Sequence, residues 1–138
     1  MPNGFEGSDT DWERLEAPLR SVDWRLQVFA LRHMLPLSKN GRGGHEWPER
    51  SFRWGTPVSR LIQLFLKDPN TLSHNLWICA SEERDGMRYW KEATLKEGVT
   101  IEQMAADLPS LLSDALKMVR RWTSADLVPV TQVGVFKG

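Results

Sequence analysis

Two β-prone runs, "NLWICAS" (75–81) and "MRYWKEATL" (87–95), flank the stretch "EERDG" (82–86). An Asp-Gly pair tolerates positive φ at both central positions of a type I′ turn, whose twist matches that of paired strands. The chain must therefore build an antiparallel hairpin with its turn at Asp85-Gly86, and the rest of the fold has to accommodate it. Successive side chains of a strand point to opposite faces. Leu76, Ile78 and Ala80 then form one apolar set, and Trp77 and Cys79 face the other way. On the partner strand Met87, Tyr89, Ala93 and Leu95 share one side, and Arg88, Trp90, Glu92 and Thr94 share the other.

Helical spacing is plainest over 101–122, where Leu108, Leu111, Leu112, Ala115, Val119 and Trp122 make one stripe. Ser110, Ser113, Asp114, Lys117 and Arg121 make the wet side. Thr100 with Gln103 supplies a capping-box start, and Pro109 interrupts or restarts the helix. A short helix is expected over 9–17, capped by Ser8 or Asp9 and ended or bent at Pro18. Thr56 followed by Pro57 reads as another helix start, with Val58, Leu61, Ile62 and Phe65 as its stripe and "KDPN" as its stop.

"VDWRLQVFAL" (22–31) supports two readings. Leu15, Leu19, Val22, Leu26 and Phe29 follow a three-four spacing, while Val22, Trp24, Leu26, Val28 and Ala30 alternate with polar residues. On a helical wheel Asp23, Arg25, Gln27 and Arg32 scatter, so a strand over 22–31 is the expectation. Residues 36–56 read as a long loop, with a short hairpin through Trp47 to Trp54 as an option. Pro129 confines the β-prone tail to an edge strand or bulge.

In order, this series resembles the ferredoxin-like β-α-β-β-α-β arrangement preceded by an N-terminal helix. The resemblance is one of element order and implies no activity. The expected fold is an α+β two-layer sandwich: a mainly antiparallel four-stranded sheet with two amphipathic helices on one face. Residues 1–8 are expected to be a flexible lead-in to a single domain over 9–138. The third-strand motif of RNA-recognition domains is not met by "DGMRYWKEAT" (85–94).

Composition narrows the function classes. Eighteen basic and eighteen acidic residues cancel, so binding to nucleic acid or an anionic membrane would need a local patch. A single cysteine, Cys79, gives no intrachain disulfide framework, and "MPNGFEGSDT" has neither a basic nor an apolar leader region. Cytoplasmic residence without a membrane span is expected. No metal-ligand spacing links His33, His45 and His74, and neither phosphate-loop nor Rossmann glycines occur, so no metal and no cofactor is expected.

"GRGGHEWPERSFRWG" (41–55) interleaves glycines, arginines and aromatics. Arg42, His45, Trp47, Arg50, Arg53 and Trp54 are the candidate contact residues for a small-molecule or protein partner. Alternatively, the aromatics pin the loop to its own domain. Trp77 and Trp90, left over on the strand faces opposite the helices, are candidate dimer-interface residues. The leading expectation is a small soluble binding protein, a homodimer. An enzyme with His45 as general base, Glu46 beside it and Arg42 or Arg53 holding an anionic substrate is the alternative, and single-stranded nucleic-acid binding is a third.

Overall fold

The computed structural model describes residues 9–40, 49–68 and 71–130. The expected lead-in over 1–8, the loop residues Arg42, His45, Glu46 and Trp47, and the tail beyond 130 lie outside them. One antiparallel sheet holds six strands in chain order: β1 (Leu37–Asn40), β2 (Glu49–Trp54), β3 (Ser59–Asp68), β4 (Ser73–Arg84), β5 (Met87–Val99) and β6 (Val128–Pro129). Helix α1 (Asp9–His33) precedes the sheet, and α2 (Ile101–Arg121) connects β5 to β6. One core cluster takes Leu15, Leu19, Val22 and Leu26 from α1, Leu108, Leu112 and Val119 from α2, and Phe52, Ile62, Leu76 and Ile78 from the strands. Both helices therefore lie on one face of the sheet.

The class is α+β, but the four-stranded ferredoxin-like order is overturned. β1 to β5 are neighbours in chain order, and among the described residues no helix lies between them. Two segments account for the change. The expected strand over 22–31 is the second half of α1, and the expected helix after Pro57 is β3.

In α1, Leu15, Leu19, Val22, Leu26 and Ala30 are buried in one row. Trp24 and Val28, which complete the alternating pattern, are exposed. Asp23, the polar residue that spoils the helical wheel, reaches across to Arg50 of β2. Pro18 sits inside the helix without ending it. A proline there costs roughly 3 kcal/mol, whereas each buried aliphatic side chain contributes roughly 1.5–3 kcal/mol. Five buried side chains on a continuous row outweigh one lost hydrogen bond.

β3 is apolar on both faces, and that is why its spacing also fits a helix. Ile62, Leu64 and Leu66 enter the main core, while Leu61 joins a second cluster on the opposite face. Ile62 pairs with Phe52 of β2 and Ile78 of β4, at the centre of the sheet. Pro57 belongs to the β2–β3 turn, not to a helix start. Gly55 in that turn has φ +97°, and a Cβ there would stand 2.6 Å from the Val58 carbonyl oxygen.

The expected loop over 36–56 instead supplies β1 and β2, paired Leu37 to Phe52 and Lys39 to Arg50. The hairpin turn and the α2 start take the form their sequence predicts, but the expected interruption at Pro109 does not occur. Asp85 and Gly86 have φ of +53° and +78° between the paired Arg84 and Met87. The Thr100 hydroxyl accepts from the Gln103 N–H at 3.1 Å, and α2 passes through Pro109 unbroken. β6, carrying Pro129, is the edge strand beside β5.

Candidate functional site

The sheet face turned away from both helices carries the candidate site. Register places Arg53, Leu61, Cys79 and Glu92 in one row across β2 to β5, and Ser51, Gln63, Trp77 and Thr94 in the next. Leu61, Cys79 and Trp90 form a small buried cluster, with Trp77 packed against it and half-buried. The two indoles stand 6.1 Å apart between centroids, tilted by 59°. That is within the range for edge-to-face aromatic contact. The Trp77 Nε1–H donates to Glu92 Oε1 at 2.8 Å, which fixes the ring orientation.

Around this cluster the charges have both signs. Arg53, Arg88, Glu83 and Glu92 are exposed, and Arg88 lies 3.4 Å from Glu83. The Cys79 thiol is pushed up to about 11, chiefly by burial and then by the Glu92 carboxylate, against the weaker pull of Arg53 and Arg88. A thiol so placed stays protonated near neutrality and acts as apolar packing rather than as a nucleophile.

The candidate residues of 49–55 divide between the two faces. Arg50 is buried on the helix side, where its Nε and Nη2 donate to the Asp23 carboxylate at 2.6 and 3.2 Å and its Nη1 donates to the Glu49 carbonyl at 2.9 Å. Trp54 packs against the main core on that side. Arg53 alone of the three reaches the outer face, so Arg50, Arg53 and Trp54 do not make one surface. Leu61 and Glu92 were not singled out as site residues by the sequence. Glu92 was visible in the alternation of its strand, while Leu61 was hidden by the helical reading of β3.

Arg60 has a structural task. Its Nε donates to the Val119 carbonyl at 3.0 Å and its Nη2 to the Trp122 carbonyl at 2.7 Å, so a strand side chain supplies donors to two carbonyls at the α2 C-terminus, the first of which also accepts the Trp122 N–H. His74 is buried, with Nδ1 3.1 Å from the Leu72 carbonyl. Burial lowers it to about 4, so it is neutral in the folded protein at neutral pH.

Two concavities flank the helices. One of about 410 Å³ lies between α1 and α2, and one of about 530 Å³ lies between β5 and α2, and neither is lined by a histidine or cysteine. Among the described residues no three of His, Cys, Asp and Glu gather as a metal site, and no helix is long and apolar enough to cross a membrane. Comparison with protein-family models, with curated proteins and with solved structures found no match for this chain.

Proposed function

We propose that this is a small binding protein that acts as a homodimer, joined through the outer face of its sheet. One observation carries the reading: Trp77 and the cluster beneath it sit on the face opposite both helices, rimmed by Arg53, Arg88, Glu83 and Glu92. A two-fold interface sets one patch against itself, so the patch must supply both partners of every charged pair. An apolar centre with cations and anions around it meets that condition, and tryptophan and arginine are the side chains that most often dominate such contacts. Arg53 links this face to the contact role expected of segment 41–55.

Sedimentation equilibrium over 1–100 μM tests the proposal. The wild-type chain is expected to dimerise, and Trp77→Ala to weaken association at least tenfold with folding intact by circular dichroism. A wild-type monomer throughout that range, or a Trp77→Ala dimer as tight as wild type, would overturn it.

A further inference from the structure

Helix α1 carries a second apolar row. Trp24, Val28 and Leu31 are 70%, 38% and 72% exposed, directly opposite the row buried in the core. Trp24 and Val28 form one wall of the cleft between α1 and α2, and Pro109 and Leu112 form the other. Exposed Trp and Leu in helical spacing beside a groove form an interaction surface rather than scattered surface residues.

Arg25 and Arg32 line the same cleft, one heptad and about 10 Å apart along α1. Both are exposed, and neither forms an ion pair among the described residues. Between residues 20 and 34 the one acid of α1 is Asp23, which is committed to Arg50. A second copy docked through this same stretch of α1 would therefore bring arginines and no uncommitted carboxylate. Two cations are also few for a nucleic acid, where affinity follows the phosphates neutralised, or for an anionic membrane, which calls for clusters of four or more.

We infer that the α1–α2 cleft receives an acidic amphipathic helix from another protein. Apolar side chains of that helix at i, i+3 or i+4, and i+7 seat on Trp24, Val28 and Pro109, with Leu112 closing the cleft floor. Two carboxylates one heptad apart on its flank meet Arg25 and Arg32. Bidentate arginine–carboxylate pairs set the register, and the tryptophan supplies the buried anchor. This surface is separate from the sheet face.

A displayed library of random 16-residue peptides, panned on the full chain and counter-selected on R25E/R32E, tests the inference. Enriched peptides are expected to combine the helical apolar spacing with Asp or Glu seven residues apart. Measured by fluorescence anisotropy, the best of them should lose at least tenfold in affinity on Trp24→Ala and on R25E/R32E. A Lys-for-Glu version of the peptide should recover binding to R25E/R32E. All substituted residues are on the surface, and thermal melts within a few degrees of wild type confirm folding. Absence of enrichment, enrichment without acids, or R25E/R32E-sensitive binding to vesicles containing 30% phosphatidylserine or to single-stranded DNA in place of the peptide would overturn it. Trp77→Ala leaves peptide binding intact and R25E/R32E leaves the dimer intact, so the two proposals fail separately.

Discussion

At the scale of single residues, His74 shows how burial ties stability to pH. Its ring donates to the Leu72 carbonyl, and its Nε2 is buried with no hydrogen-bond partner, so the site favours a neutral imidazole. The folded chain holds His74 near 4, and the unfolded chain near its ordinary 6.5. Above 6.5 both states are neutral there and the contribution is complete. As pH falls from 6.5 toward 4 the unfolded chain takes up a proton that the folded chain refuses, and stability drops by about 1.4 kcal/mol per pH unit. His74→Gln removes that titration. Urea unfolding of wild type and His74→Gln at pH 7, 6 and 5 should show the wild-type curve falling more steeply, by close to that amount between pH 6 and 5 and by less between pH 7 and 6, whereas parallel curves would refute the assignment.

At the scale of elements, Arg60 decides how α2 ends. The last carbonyls of a helix need donors, and α2 takes them from β3 instead of from a C-terminal glycine. Arg60→Ala removes two charge-assisted hydrogen bonds and is expected to cost about 2–3 kcal/mol, read as a lower midpoint in urea. Loss of amide protection should begin at Val119–Trp122. An unchanged midpoint would show that water replaces the guanidinium without cost. The helical expectation for β3 came from apolar residues on both of its faces, and nothing local marks the task of Arg60, whose acceptors lie some sixty residues further along the chain. Elements whose signals are local were legible. The Asp85-Gly86 turn needs only its own two positive φ values, and α2 needs only its cap and a wet side clear of apolar residues.

At the scale of the whole molecule, the Asp23–Arg50 pair ties α1 to the sheet near its β1–β2 edge, beside the Phe29–Phe52 ring contact at 5.5 Å. Arg50 is only 2% exposed, so removing the Asp23 carboxylate takes a negative charge from beside a buried guanidinium. Asp23→Ala is expected to destabilise by about 3 kcal/mol or more. Arg50→Met with Asp23→Leu, which removes both charges, should recover much of that loss in calorimetric melts. A double variant no better than Asp23→Ala would refute the loss of charge balance beside Arg50 as the cause. The candidate site was legible in part at this scale. Alternation put Trp77 and Trp90 on one strand face, but only the register of β3 brought Leu61 beside them, and only the fold separated Arg53 from Arg50 and Trp54. By itself the sequence determined the α+β class, the hairpin and α2, because turn geometry, capping and a one-sided apolar stripe act within a few residues. The tertiary structure decided that 22–31 is helix and that 59–68 is strand. Both segments carry apolar residues on two sides and fit either period, so distant partners made the choice: the core that buries Val22, Leu26 and Ala30 in one row, and β2 and β4, which pair with β3 on either side.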